Sequence, residues 1–104
     1  MEIIWQPEAR NAVRDIYYFY EPKSSITANE IIEDINTSAE YLAIFPQMAP
    51  IEPFLSGKNE TFRALLVKKL FKIIYYVDEI ADEVVIVTVW DCRQNPEKLT
   101  DSVE

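Results

Sequence analysis

The spacing of apolar residues along the chain predicts two kinds of element. Residues 2–5, 62–68, 71–77 and 84–90 are rich in β-branched and aromatic side chains, which is typical of strands. Between the first of these segments and the other three, apolar residues recur at spacings of three and four, which predicts helices. The predicted order is therefore strand, helix, helix, strand, strand, strand.

The first helix is predicted to begin at Pro7, which suits the first turn, and to end near Glu21, because Pro22 disfavours helical geometry before it. The second is predicted to begin at the serine pair 24–25, with Thr27 and Glu30 as an alternative capping box, and to stop at 45–46. Its predicted buried stripe consists of Ala28, Ile31, Ile32, Ile35, Ala39 and Leu42.

Residues 46–60 hold three of the six prolines and the only glycine, which predicts a loop whose Ile51, Phe54 and Leu55 are tucked in. Lys68 and Lys69 form the first reversal between strands, and residues 78–83 form the second. Because a lone strand cannot satisfy its backbone groups, the first strand must join the other three. We predict an α+β fold with βααβββ order, a helical hairpin packed on a mainly antiparallel four-stranded sheet.

Composition limits the classes of protein that this chain can represent. Its 104 residues, 49% of them apolar, predict one domain over residues 1–104. We expect a cytoplasmic protein, because the start lacks a secretory signal, no segment is long enough to span a membrane, and a single cysteine excludes an internal disulfide. That residue, Cys92, is interpreted as a packed thiol.

The absence of histidine excludes His-dependent nucleophile pairs and His-containing zinc sites, and we predict no cofactor and no metal. Glu30, Glu33 and Asp34 are interpreted as a solvated helix face rather than a metal cluster. The net charge of −8 argues against a surface that binds nucleic acid throughout. Five of the ten cations nevertheless lie within residues 58–72, where they form either a basic ridge or lysines that protect strand edges.

The order of elements, the FRALLV and KIIYYV strands and the WDCRQNPEKL ending resemble the RelE/ParE superfamily of type II toxin–antitoxin toxins. The paired elements Phe62-Arg63 and Arg93-Gln94-Asn95-Pro96 carry this resemblance. It implies a small prokaryotic toxin, of the plasmid stabilisation type, that is neutralised by a cognate antitoxin. RelE-like members cleave mRNA on the ribosome, whereas ParE-like members poison DNA gyrase. Contact with DNA is expected only through the antitoxin complex.

Arg63, Lys72 and Arg93 match the cationic positions of the superfamily and are the candidate catalytic residues. Leu99, however, lies where a catalytic tyrosine is expected, and Ala64-Leu65-Leu66 stands where strong nucleases carry lysine. These departures favour the ParE-like or otherwise non-ribonuclease branch. A RelE-like endoribonuclease and an inactive binding module remain the alternatives.

Two structural questions stay open at this point. Arg93 either forms a bidentate ion pair with Asp91 or another carboxylate, which would hold the C-terminal segment on the sheet, or serves recognition. Arg63 and Lys72 lie on one face of the sheet if the hairpin loop consists of two residues, and on opposite faces if it consists of three.

Overall fold

The computed structural model describes residues 1–103 of the chain and contains the predicted order of elements plus a short C-terminal helix. The helices and strands are β1 (Glu2–Trp5), α1 (Pro7–Tyr20), α2 (Ser25–Ile44), β2 (Arg63–Val67), β3 (Phe71–Asp78), β4 (Glu83–Asp91) and α3 (Glu97–Ser102).

Local chemistry accounts for the bounds of the two long helices. Pro7 occupies the first turn of α1. Ser24 caps α2, because its hydroxyl oxygen accepts a hydrogen bond from the Thr27 N–H at 3.2 Å. The predicted start of α2 at the serine pair is therefore confirmed. Of its predicted buried stripe, only Ile32 is partly exposed.

The four strands form one sheet in the order β1-β4-β3-β2. β1 runs parallel to β4, and the other two pairings are antiparallel. The prediction that the first strand joins a mainly antiparallel sheet is confirmed. Because α1 and α2 pack on the same face, the fold is the predicted α+β arrangement.

The strand β4 is covered on both faces, which explains why its sequence lacks a polar side. Val84, Ile86 and Val89 face the helices, while Val85 and Val87 belong to a second apolar cluster on the other face. A register shift opposite Ile74 and Tyr75 of β3 moves the alternation by one residue. The second cluster lies beneath residues 53–62 and the C-terminal segment.

The C-terminal helix α3 and a 3₁₀ turn (Pro53–Leu55) were not among the predicted elements. Leu99 and Val103, four residues apart, are both buried against the second cluster. The Thr100 hydroxyl donates to the Phe54 carbonyl at 2.9 Å, and the Lys58 amine donates to the Thr100 carbonyl at 3.0 Å. Long-range contacts, which no local period reveals, hold this short helix in place.

Two predictions about side-chain burial are wrong. Ile51 and Phe54 are exposed, and only Leu55 of the three predicted loop residues is buried. Residue 51 forms an isolated bridge to Arg63, and the alternation of such an extended segment turns Glu52 inward and Ile51 outward. Cys92 is exposed rather than packed, because β4 ends one residue before it.

Candidate functional site

Arg93 lies in the turn that follows β4 and forms an ion pair with Asp91. Its Nη2 is 2.6 Å from Asp91 Oδ2 and its Nε is 3.0 Å from Oδ1, while its backbone N–H also donates to Oδ1 at 2.9 Å. This pair lowers the pKa of the Asp91 carboxyl below its usual range and raises the pKa of the Arg93 guanidinium. The bidentate ion pair that the sequence left open is confirmed.

A groove of about 350 Å³ separates the second half of α1 from the end of β4, with Arg93 at its rim. The guanidinium carbon is 5.7 Å from the Phe19 ring centroid and 6.0 Å from that of Tyr20. Both distances permit a cation–π attraction. Since 53% of the Arg93 side chain is exposed, a partner could still reach it.

Lys72 lies on the opposite face of the sheet, where it forms an ion pair with a buried carboxylate. Its Nζ is 3.0 Å from Oε2 of Glu52, whose exposure is only 2%. The other carboxylate oxygen of Glu52 accepts the Phe54 N–H at 3.3 Å. Lys72 therefore compensates a charge that the fold has removed from water.

The neighbourhood of Lys72 includes the thiol of Cys92. Although Cys92 is exposed, partial desolvation raises the pKa of its thiol, and the nearby lysine opposes that shift. A thiol with a raised pKa forms less of the nucleophilic thiolate. Nothing about Cys92 therefore indicates an activated nucleophile.

Arg63 is engaged at the start of β2, the strand at the edge of the sheet. Its Nη1 donates to the Ala49 carbonyl at 2.8 Å, so the guanidinium fastens the loop after α2 to the sheet. Arg63 pairs with Tyr75 of β3, four residues along that strand from Phe71, which pairs with Asp91. Arg63 and Arg93 therefore lie towards opposite ends of the sheet.

The three candidate cations do not converge on one site, and the hairpin turn explains part of the separation. Val67 pairs with Phe71, so the turn contains three residues, 68–70, and Leu66 rather than Leu65 lies opposite Lys72. Side chains alternate along each strand, so Arg63 shares the helix-covered face and Lys72 the opposite face. The three-residue alternative is thus the one observed.

The tyrosines of β3 and the residue at position 99 supply no acid or base beside these cations. Tyr75 is fully buried, and its hydroxyl donates to the Pro46 carbonyl at 2.8 Å. Tyr76 points to the other face and packs edge-on against Phe62. Burial, followed by the nearby carboxylates, raises the pKa of the Tyr76 hydroxyl. Leu99 is a buried core residue.

A model of the family described as "ParE toxin of type II toxin-antitoxin system, parDE" matches residues 3–96. The chain belongs to this family. The match covers most of its length, so the resemblance to the RelE/ParE superfamily is confirmed and the chain is a type II toxin–antitoxin toxin.

Among solved structures, the chain is similar to a protein of the chromosomal ParDE toxin–antitoxin system from P. aeruginosa. The two share 20% sequence identity with a TM-score of 0.70, and the match covers 88% of this chain and 95% of the other. At this identity, the likeness establishes the shared fold alone. No curated protein matches the sequence.

Sequence patterns missed a group of exposed apolar residues near the end of α2. Tyr41, Ile44, Phe45 and Met48 are each at least half exposed. Tyr41 and Ile44 are apolar residues of α2 that lie outside its predicted buried stripe, and this position could have indicated their exposure. Among residues 1–103 of this ParE-family chain, no helix has both the length and the hydropathy of a membrane-spanning segment.

Proposed function

We propose that this chain is the toxin of a toxin–antitoxin pair, is neutralised by its cognate antitoxin, and acts by binding DNA gyrase rather than by cleaving RNA. Membership of the ParE family supports the first part. The choice of gyrase follows from the ParE-like branch of the superfamily.

The observation that supports a binding mechanism is the separate engagement of the three candidate cations. RNA cleavage by the ribose 2′-hydroxyl needs a base, an acid and cations placed around one phosphate. Arg63 donates to a backbone carbonyl, Lys72 pairs with a buried glutamate and Arg93 pairs with an aspartate. Assembling them around a phosphate would require breaking several of these contacts.

Electrostatics favour a protein target in the same way. A net charge of −8 repels a nucleic-acid backbone, whose binding depends on cations that neutralise phosphates. We therefore propose that any contact with DNA is made through the antitoxin complex. The same negative charge disfavours nonspecific binding of the chain to ribosomal RNA.

Arg93 is the cation that we assign to partner recognition, because it is half-exposed at the rim of the groove between α1 and β4. Arginine beside aromatic side chains is a composition typical of interface hot spots. We propose that the antitoxin covers this groove and so keeps Arg93 and Phe19 from the target. Arg63 and Lys72 are assigned structural roles.

Inducing the chain in bacterial cells without its antitoxin tests the proposal. We expect growth arrest, inhibition of DNA supercoiling by gyrase in the presence of the purified protein, and intact mRNA on translating ribosomes. Arg93→Ala should weaken both the arrest and the inhibition, whereas Arg10→Ala, an exposed arginine on α1, should leave both unchanged.

Each other outcome identifies an alternative. Cleavage of ribosome-bound mRNA by the intact protein, lost in Arg93→Ala, would establish the endoribonuclease. Absence of growth arrest would leave an inactive binding module. Arrest without inhibition of supercoiling would exclude gyrase as the target.

A further inference from the structure

Three hydrogen bonds bring the N-terminus, the end of α2 and the β3–β4 turn together at one end of the molecule. The Met1 amine donates to the Ala43 carbonyl at 3.0 Å, and the Glu2 N–H donates to the Asp82 carbonyl at 3.1 Å. Gln47 Nε2 donates to Oε1 of Glu79 at 3.4 Å. We call this surface, formed by residues 1–2, 40–48 and 78–83, the acidic end.

The acidic end exposes several large apolar side chains. Ile44 is 67% exposed, and Ile80, at the tip of the β3–β4 turn, is completely exposed. The exposed apolar residues of this end are Tyr41, Ile44, Phe45, Met48 and Ile80. Ile44, Phe45 and Met48 line one pocket, and contiguous exposed apolar side chains mark sites of association.

Within the residue ranges of the acidic end, every side-chain charge is negative. The N-terminal amine belongs to this end, and Arg63 lines a pocket beside it together with Gln47 and Glu79. No lysine or arginine occurs in residues 24–57 or 73–92, and the acidic end itself contains six acids, Glu2, Glu40, Asp78, Glu79, Asp82 and Glu83. Within residues 1–103, the ion pairs use Asp34, Glu52 and Asp91 and none of these six. The carboxyl end of α2, without a basic residue in its last turn, adds a negative dipole end.

We propose that the acidic end docks a segment of the antitoxin that carries lysine or arginine beside apolar side chains. The apolar side chains of that segment would cover Ile44 and its neighbours, and its cations would approach Glu40 and Glu79. This inference rests on the proposed function, because the occupant is the antitoxin. A second copy of the chain is disfavoured as occupant, since it would bring a matching set of acids against these.

The acidic end would be a second surface that contacts the antitoxin, and its chemistry differs from that of the groove at Arg93. An antitoxin that reaches both surfaces must present apolar and basic side chains to the acidic end, while at the groove it covers Arg93 and the aromatic side chains beside it. Such different patterns along one segment would fix the direction in which it lies on the toxin.

Matched substitutions on α2 and in the turn test the docking surface. The probe is the protein encoded by the adjacent reading frame, titrated against the full-length chain. Ile44→Ser is compared with Ile26→Ser, because both isoleucines are exposed on α2, by 67% and 72%, near its opposite ends. We expect Ile44→Ser to weaken binding about tenfold and Ile26→Ser to leave it unchanged.

A charge reversal supplies the second variant. Glu79→Lys should weaken binding about threefold or more, whereas Glu33→Lys, on the exposed face of α2, should not. Added salt should weaken binding by the wild-type chain and do so less for Glu79→Lys. Equal unfolding midpoints for the variants and wild type show that each variant is folded.

Several results would overturn the inference. Equal affinities for wild type and for Ile44→Ser and Glu79→Lys would remove the docking surface and leave the proposed function standing. Equal losses for Ile26→Ser and Ile44→Ser would spread binding along α2. A dimer of the chain alone that Ile44→Ser dissociates would identify a second copy as the occupant. No complex with the wild type would overturn both proposals.

Discussion

The end of the sheet where β3 begins and the end where it stops carry charges that are arranged in opposite ways. At the first, which we call the cationic end (residues 68–72 and 91–94), Lys68 pairs with Asp34 at 2.9 Å, and Lys72 and Arg93 have carboxylate partners of their own. At the acidic end, Glu83 lies beside Glu2 on one strand and Asp78 on the other, and among residues 1–103 none of the three forms an ion pair.

This difference separates charges that are paired within the fold from charges that have no ion-pair partner among residues 1–103. A cation that already contacts a carboxylate contributes to stability and gives up that contact if it binds elsewhere. Carboxylates that face one another repel, and an incoming cation relieves the repulsion. A search that starts from the three candidate cations therefore finds side chains that are already engaged within the fold, of which Arg93 is also half-exposed at the rim of a groove.

Removing the partner of the buried glutamate should have the largest effect on stability. In Lys72→Ala, Glu52 remains buried without a cation, and we expect a loss of about 2–3 kcal/mol of unfolding free energy in urea titrations. Adding Glu52→Gln should recover part of that loss, because a neutral amide still accepts the Phe54 N–H.

Lys98→Ala is the matched control for Lys72→Ala. Lys98 is exposed on α3, and its side chain has no ion pair in residues 1–103, so its removal should change stability by less than about 0.5 kcal/mol. Equal midpoints for the two alanine variants would show that the cationic end is not a structural ion-pair region.

Removing a charge at the acidic end should instead raise the unfolding free energy. Glu83→Gln ends the repulsion from Glu2 and Asp78 on the neighbouring strands, and we expect a gain of about 0.5 kcal/mol at low salt. The gain should shrink as salt screens the repulsion. Glu33→Gln, on a helix face away from this end, should be neutral. A destabilised Glu83→Gln would contradict the distinction between the two ends.

The exposed ion pair of the cationic end should give a smaller, pH-dependent effect. The pKa of Asp91 is lowered in the folded chain, so the stabilisation from Arg93 is present above the ordinary pKa of a carboxyl and is lost as pH falls through the lowered value. The melting temperature of Arg93→Ala should lie slightly below that of wild type at neutral pH. The two should converge in acid, and a gap that persists there would assign another role to Arg93.

The helices and strands could be predicted from the sequence because the spacing of apolar residues that defines each one lies within a short segment. The β-branched runs of β3 and β4 and the 3.6-residue spacing of α2 predict their own burial, and the serine cap fixes where α2 begins. The same spacing leaves Tyr41 and Ile44 outside the core. The order of these elements, together with the Phe62-Arg63 and Arg93-Gln94-Asn95-Pro96 motifs, allowed the superfamily to be inferred before the contacts were known.

The arrangement of the candidate site could not be derived in the same way, because it depends on whether the hairpin turn contains two residues or three. The Leu70 N–H donates to the Val67 carbonyl at 3.1 Å, and the Leu70 carbonyl accepts the Cys92 N–H at 2.8 Å. These bonds make the turn three residues long and place Arg63 and Lys72 on opposite faces. Local propensity does not encode a bond to a residue that lies 22 positions further along.

Hydrogen exchange of the toxin, free and bound to its antitoxin, tests most directly whether uncompensated charge marks the partner surface. We expect binding to slow amide exchange at the end of α2 and in residues 78–83, and added salt to weaken this protection. Protection confined to the groove at Arg93, with unchanged exchange throughout the acidic end, would contradict this expectation.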